Sequence, residues 1–148
     1  MKKPISIFLF FLIFIAIPNI HAQQQPYHHV ALEYLKRSLE YMMVGDYHNA
    51  IISSNNVIRI DPNSAISYLI RARAYYELND FYRAIIDSTQ AIRLDRNNAA
   101  AYVVRGNAHI QNGDYTRAIA DWQAALRINP NIEEAAQNIE TARQQRDQ

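Results

Sequence analysis

Hydrophobic and polar positions in residues 31–132 recur at a constant spacing, so that one pattern is written three times. The rows are ALEYLKRSLEYMMVGDYHNAIISSNNVIRIDPNS (31–64), AISYLIRARAYYELNDFYRAIIDSTQAIRLDRNN (65–98) and AAAYVVRGNAHIQNGDYTRAIADWQAALRINPNI (99–132). In the first half of each row an aromatic residue precedes a small residue by four positions and another ring by seven, a spacing that marks one face of a helix. These sets are Tyr34, Ser38 and Tyr41; Tyr68, Ala72 and Tyr75; and Tyr102, Gly106 and His109.

The second half of each row carries a stripe rich in alanine, which predicts a second helix packed closely against the first. An aspartate precedes this helix and is expected to cap it. The residue before that aspartate suits the left-handed conformation that ends a helix, and an asparagine near the end of the row is expected to cap the next helix. The positions are Asp46, Asp80 and Asp114; Gly45, Asn79 and Gly113; and Asn63, Asn97 and Asn131. Each row therefore predicts two antiparallel helices joined by a tight turn.

A further helix with a polar tail is predicted for residues 133–148. Its polar outer face is typical of an end cap that keeps a stack of repeats soluble. A capping box from Asn131 to Glu134 is expected to open it. Its apolar stripe consists of Ile132, Ala135, Ala136, Ile139 and Ala142.

Residues 1–22 differ from the rest of the chain and predict a secretory signal peptide. Lys2 and Lys3 precede the unbroken apolar run ISIFLFFLIFIAI, and a small-residue cleavage site ends at Ala22. An uncleaved membrane anchor is the alternative, but a membrane-spanning helix needs about 20 apolar residues, more than this run supplies. We therefore expect an exported protein of the bacterial periplasm or a secreted one, with no membrane insertion after cleavage.

Residues 23–30 are expected to form an N-terminal lead-in, with a flexible part at 23–26 and helix beginning near Tyr27 to Ala31. Without Lys2 and Lys3 the chain keeps 13 of its 15 basic residues against 14 acidic ones. A near-neutral chain lacks the basic surface that nucleic-acid binding requires. The sequence contains no cysteine, so the fold must be held by packing although export would permit disulfides.

The rows resemble the tetratricopeptide repeat, a helix-turn-helix unit of the same length. This resemblance implies an all-α fold, a right-handed helix-turn-helix solenoid of three repeats at 31–64, 65–98 and 99–132. One departure lies at the 24th residue of each repeat, where the family often has a large apolar side chain. The residues there are Ser54, Ser88 and Trp122.

The chain offers little that points to catalysis. Arg71 and Arg105 recur at one position and Asp87 and Asp121 at another, and we interpret them as structural ion pairs between helices. The histidines lack the spacing of metal ligands, His109 is read as a core residue, and there is no phosphate-binding loop or nucleophile motif. The sequence predicts neither an enzyme nor a metal or cofactor.

The resemblance implies that the first helix of each repeat lines a concave groove. The residues that would face inward are unusually apolar, and a large apolar surface usually marks an interaction site. We therefore expect a non-catalytic adaptor that binds an apolar or amphipathic segment of another polypeptide. Self-association is one alternative, and an anchored subunit of an envelope complex is another. The predicted groove residues are Leu35, Leu39, Met42, Leu69, Ile70, Arg73, Tyr76, Val103, Val104, Asn107 and Ile110.

A well-known subset of the family grips the carboxyl terminus of chaperones with a clamp of lysine, asparagine and arginine side chains. At the matching positions this chain has other residue types, so the resemblance implies that a chaperone tail is not its ligand. The matching residues are Leu35, Leu39, Ile70, Ala100 and Val104.

Overall fold

The computed structural model describes the backbone of residues 20–147 and the side chains from Tyr27 onward. The expected signal peptide lies almost wholly on residues 1–19, outside this range. The described part forms seven α-helices and contains no β-strand. They are α1 (Ile20–Met43), α2 (Tyr47–Ile60), α3 (Ala65–Glu77), α4 (Phe81–Leu94), α5 (Ala99–Gln111), α6 (Tyr115–Ile128) and α7 (Glu133–Arg146).

The helices pack as successive antiparallel pairs in one continuous stack. The pairs are α1 with α2, α3 with α4 and α5 with α6, and α7 packs on α6. Each pair joins the next through contacts of α2 with α3 and of α4 with α5. The first helices also contact one another, α1 with α3 and α3 with α5. The all-α solenoid expected from the sequence is confirmed, and we call α1, α3, α5 and α7 its inner helices.

The turn inside each repeat has the predicted conformation. Gly45 and Gly113 have φ of 75°, and Asn79 has φ of 60°. This left-handed region suits glycine and is tolerated by asparagine. The next residue is an aspartate whose carboxylate accepts a hydrogen bond from a free backbone N–H in the first turn of the second helix. These bonds are 3.2 Å at Asp46, 3.0 Å at Asp80 and 3.0 Å at Asp114.

The caps between repeats lie one residue later than predicted. The residues that precede α3, α5 and α7 are Ser64, Asn98 and Ile132, so the expected caps Asn63, Asn97 and Asn131 were wrong. The physical reason is a side-chain turn, in which the side chain of Asp61, Asp95 or Asn129 accepts from the backbone N–H two residues later.

That turn uses the asparagine N–H and moves the helix start beyond it. The capping box from Asn131 to Glu134 was wrong for the same reason, and Ile132 makes no side-chain cap bond. Asn98 does cap its helix, since its side chain accepts from the N–H of Ala101 at 3.1 Å.

Helix α1 begins at Ile20, before the predicted start near Tyr27 to Ala31. The side chains of residues 27–30 are exposed, and Ala31 is the first buried residue among the side chains that the structure describes. Ala22 and the glutamines that follow it are good helix formers, and a helix that has already nucleated extends at low cost. Residues 23–26, expected to be flexible, are helical as well.

Small buried residues allow each inner helix to lie against the repeat before it. These small residues are the third and tenth residues of the repeat. The equivalent positions in α7, 34 residues further on, are also small. Their side chains are at most 1% exposed. The pairs are Ser67 and Ala74 in α3, Ala101 and Ala108 in α5, and Ala135 and Ala142 in α7.

The corresponding residues of α1 are Glu33 and Glu40, which are exposed. No repeat precedes α1 among the described residues, and these charges face solvent. The stack therefore has a polar beginning as well as the polar cap at α7.

No helix within residues 20–147 is both long enough and apolar enough to cross a bilayer.

Candidate binding groove

Two half-buried arginines contact the repeat that precedes their own. Arg71 donates to Asp87 through Nε at 2.6 Å and through Nη2 at 2.7 Å, and its Nη1 reaches Asn55 of the preceding repeat at 2.6 Å. Arg105 repeats the arrangement with Asp121, at 2.9 and 2.7 Å. The forked guanidinium matches a carboxylate in two parallel bonds. The hydrogen bonds to Asp87 raise the pKa of Arg71, although burial opposes them.

These contacts confirm the interpretation of Arg71 and Arg105 as structural residues. Arg105 also reaches back to the preceding repeat, donating to Thr89 Oγ1 at 3.2 Å. Each arginine therefore joins the two helices of its own repeat and also contacts the repeat before it. Neither arginine lines the cavities described below.

The predicted groove residues lie on the inner helices, and their exposure differs. Leu35 and Met42 are half-buried and Leu39 is exposed on α1. On α3, Arg73 is exposed, and Leu69 and Tyr76 are half-buried. The four residues on α5 are all half-buried, namely Val103, Val104, Asn107 and Ile110.

Ile70 is the exception, because only 5% of its surface is exposed. Helix α3 is flanked on one side by α1 and on the other by α5. A side chain at this position of the middle inner helix is therefore taken up by a neighbour. Ile70 belongs to the core and cannot contribute much surface to a ligand.

A cavity of about 510 Å³ opens between α3, α5 and α7. It is lined by five of the predicted groove residues, on α3 and α5. Six further residues line it, among them the acidic residues Glu77 and Glu134. The five are Arg73, Tyr76, Val103, Val104 and Asn107.

A second cavity of about 280 Å³ shares Tyr76, Asn107 and Glu134 with the first. Ile110 lines it, together with polar side chains of α7 such as Asn138 and Thr141. Helix α7, expected from the sequence to be an end cap only, therefore also lines the cavities. A signal was present, since Ala135 and Ala142 continue the 34-residue spacing of Ala101 and Ala108 and mark α7 as a further inner helix.

Asn107 is held in one orientation at the junction of the two cavities. Its side-chain oxygen accepts the indole N–H of Trp122 at 2.8 Å, and its amide nitrogen donates to Glu134 Oε1 at 3.3 Å. Trp122 is 2% exposed and packs in a cluster with Ala135, Ile139 and other residues of α6 and α7. Because Trp122 occupies the amide oxygen, Asn107 presents donors toward the groove.

Tyr76 forms the wall that both cavities share. Its ring packs against Phe81, with ring centroids 5.6 Å apart, and aromatic pairs at this distance prefer such tilted arrangements. Burial is the main cause that raises the pKa of the Tyr76 phenol; the charges of Glu77 and Glu134 also raise it, and a hydrogen bond with Gln111 opposes them. The two carboxylates therefore lie close enough to Tyr76 to act on its hydroxyl.

The groove becomes apolar toward its amino-terminal end. Leu32, Leu39 and Met43 of α1 are exposed, Met43 at 86%. They stand at the second, ninth and thirteenth residues of their repeat. The groove thus runs from an apolar wall on α1 to polar cavities beside α7.

The described residues include no group of three or more histidine, cysteine, aspartate or glutamate side chains arranged to hold a metal ion. His109 is half-buried, and its Nε2 lies 3.9 Å from Asp121 Oδ2. Burial lowers the pKa of His109, against the opposing charge of Asp121. The imidazole is a part of the packed interior, as predicted.

The fold is that of an α-helical repeat protein. Comparison with known sequences confirms which repeat it is. Residues 65–98 and 99–132 each match a tetratricopeptide repeat family. The chain belongs to the tetratricopeptide repeat proteins. Residues 31–64 form the same helix pair. A comparison with curated proteins gave no significant match.

Solved structures with the same fold include domains bound to peptides. The TPR domain of Arabidopsis OM64 is 25% identical with a TM-score of 0.78, covering 80% of this chain and 98% of that one. The first TPR of Spaghetti (RPAP3), bound to the HSP90 peptide SRMEEVD, is 28% identical with a TM-score of 0.79, covering 81% and 95%. The second TPR domain of human RPAP3, in complex with the HSP70 peptide SGPTIEEVD, is 27% identical with a TM-score of 0.75, covering 79% and 98%.

Proposed function

We propose that the protein is a non-catalytic interaction module that binds a segment of another polypeptide in the groove formed by its inner helices. The observation that carries this proposal is the continuous surface from Leu39 on α1 to the cavities beside α7. This surface combines exposed apolar side chains with oriented polar groups. Recognition sites for polypeptide segments use this combination, because apolar contacts supply affinity and a few polar groups supply specificity.

Similar domains support a peptide as the ligand, although they do not support the same peptide. The RPAP3 domains are bound to peptides that end in the acidic sequence EEVD. The positions that the family uses to hold such a terminus are here Leu35, Leu39, Ile70, Ala100 and Val104. None of these side chains can pair with a carboxylate, so we propose a partner segment that is apolar or amphipathic instead of an acidic tail.

A matched pair of glutamate substitutions tests the groove. Leu39 is 46% exposed on α1 and Ile52 is 56% exposed on α2, so the fold should tolerate glutamate at either position. A photo-crosslinking residue at each position, in cells that produce the protein, identifies the protein contacted there. We expect a partner crosslinked from position 39 and not from position 52. Leu39→Glu should abolish the binding of that partner, while Ile52→Glu should retain it. Equal binding by both variants, with equal helicity by circular dichroism, would contradict the groove assignment.

Self-association is a second candidate, favoured by the exposure of Leu32, Leu39 and Met43 along one helix. The three side chains could be covered by the same surface of a second copy. Sedimentation velocity over a dilution series distinguishes the two functions. A mass that falls on dilution, and a Leu39→Glu variant that is always monomeric, would favour self-association. A constant monomer mass would favour a foreign partner.

We also propose that the module acts outside the cytoplasm, on the basis of the basic start and apolar run of residues 1–22. Mass spectrometry of the protein recovered from its native cells tests this directly. A chain that begins at Gln23 would support export. A chain that retains the apolar run in the membrane fraction would favour an anchored module.

A further inference from the structure

The exposed positions of the groove change character from one inner helix to the next. The second, ninth and thirteenth residues are all apolar on α1, mixed on α3 and mostly polar on α5 and α7. They are Leu32, Leu39 and Met43; Ile66, Arg73 and Glu77; Ala100, Asn107 and Gln111; and Glu134, Thr141 and Gln145. A ligand that follows the groove therefore meets an apolar environment at one end and a polar one at the other.

Negative charge predominates in the larger cavity. Its wall includes Glu77 from α3, Glu134 from α7 and a single basic residue, Arg73, which gives a formal charge of −1. Among the described side chains, neither glutamate lies within ion-pair distance of a basic group. Glu134 instead accepts the amide N–H of Asn107 at 3.3 Å.

The two carboxylates line the same cavity from different helices, α3 and α7, and the charges of both act on the hydroxyl of Tyr76. Glu77 is also the last residue of α3, where the negative end of the helix dipole favours a positive charge. The half-buried ring of Tyr76 forms the wall between them and supplies an aromatic surface on which a cation is attracted.

We infer that the groove recognises a segment with a lysine or arginine at one end, which pairs with Glu77 and Glu134, and apolar side chains at the other, which pack on Leu39 and Met43. This inference rests on the proposed function, because it names the chemistry of the segment that the groove binds.

Each group in the cavity then has a defined part. Glu77 and Glu134 accept hydrogen bonds from the ammonium or guanidinium group, and Tyr76 packs along its methylene groups. Asn107, held by Trp122, has a remaining N–H that donates to a main-chain carbonyl of the segment. Arg73 repels a basic residue placed one step closer to α1, so the wall fixes the position of the basic side chain as well as its charge.

A display library of random short peptides, selected on the immobilised full chain, tests this inference without knowledge of the natural partner. We expect enriched sequences to combine apolar residues with one lysine or arginine at a constant separation. Selection on Glu77→Gln/Glu134→Gln should lose the basic residue and keep the apolar ones. The matched control is Glu33→Gln/Glu40→Gln. It removes the same charge from an exposed face of α1 that lies outside the cavity, and it should leave the selection unchanged.

A double-mutant cycle on one enriched peptide then measures the contact itself. Replacing the basic residue of the peptide by methionine should raise Kd by about fivefold for the native protein, as expected for two charge pairs whose carboxylates are exposed. The same replacement should change Kd by less than about twofold for Glu77→Gln/Glu134→Gln, because the partner charges are gone. Calorimetry provides both values.

The outcomes separate this inference from the proposed function. Enrichment of apolar residues without a basic one, or with an acidic one, would overturn the charge assignment and leave groove binding intact. Additive effects in the cycle would overturn it as well. A library that shows no enrichment on the native protein would contradict both.

Discussion

Trp122 fills the space that a side chain on Gly106 would need. A Cβ atom built on Gly106 would lie 2.8 Å from Trp122 Nε1 and 2.9 Å from its Cδ1, closer than atoms pack without displacement. The equivalent pairs in the other repeats are Ala72 with Ser88 and Ser38 with Ser54. Where the 24th residue of the repeat is the large Trp122, the eighth residue is a glycine. Where the 24th residue is a serine, the eighth residue is the larger alanine or serine.

Gly106→Ala should destabilise the protein, although the same change inside a helix normally stabilises it by about 1 kcal/mol. The clash with Trp122 is an overpacking effect, which costs about 1–3 kcal/mol. Urea unfolding followed by circular dichroism measures the difference. In a Trp122→Ser background the cost should disappear, since that pair reproduces the second repeat. A stabilised Gly106→Ala single variant would show that Trp122 moves aside freely.

Asp121→Asn should cost about 1.5–3 kcal/mol, because the half-buried guanidinium of Arg105 loses its charge-assisted hydrogen bonds. Asp114→Asn is a matched control. Its carboxylate also pairs with an arginine, Arg117, but that pair is on the surface, where ion pairs contribute about 0–1 kcal/mol. The control keeps a capping oxygen, since asparagine caps a helix as well as aspartate does. Equal losses in the two variants would mean that Arg105 is solvated.

Stability should fall as the pH is lowered through the ordinary pKa of histidine, about 6.5. Burial lowers the pKa of His109 in the folded protein, so the unfolded chain binds a proton first and is favoured as the pH drops. The neutral imidazole of His109 contributes fully to the free energy of unfolding above the ordinary pKa. This contribution is lost as the pH falls toward the lower pKa of His109 in the folded protein. His109→Tyr restores the residue type of Tyr41 and Tyr75 and should flatten the dependence. Thermal unfolding between pH 7.5 and 5, about the histidine range, provides the measurement.

Residue 33 of α1 and residue 101 of α5 occupy the same position of the repeat, but substitutions there should differ greatly in their effect on stability. Ala101→Glu places a carboxylate at a fully buried position that contacts the preceding repeat, and burying an unpaired charge costs several kcal/mol. Glu33→Ala makes the reverse change on the exposed end of the stack and should alter stability by no more than about 0.5 kcal/mol. Unfolding midpoints in urea compare the two. A mild effect of Ala101→Glu would imply that α3 and α5 separate easily.

The repeat pattern was sufficient to predict the fold because its signals agree with one another. The spacing of Tyr68, Ala72 and Tyr75, the turn at Asn79 and the cap at Asp80 all indicate the same helix pair. The caps of the following helices were misplaced by one residue because two side chains that can accept a backbone N–H bond stand two residues apart there, as Asp61 and Asn63 do. Either residue can cap, and only the backbone decides which one holds the preceding turn.

The groove was predicted less completely than the fold. A periodic pattern identifies the face of a helix, but it does not indicate how closely neighbouring helices approach that face. Ile70 shares the pattern of Val104 and is buried, because α3 has an inner helix on both sides. Glu134 looked like a capping residue, and its position in the cavity follows from the packing of α7 on α6. Such contacts join residues distant in sequence and leave no local periodicity.

Arg71 and Arg105 each bind two repeats at once, and this shared bonding determines how the stack loses its structure. Repeats that hold one another in series unfold cooperatively, starting from the end with the weakest coupling. The first repeat has Ser53 where the others have aspartate, and among the described residues its Arg37 has no carboxylate partner. The end that offers the most apolar surface is thus the end that opens most readily. A ligand seated on Leu39 would close it, so the melting temperature of the whole stack would report whether the groove is occupied.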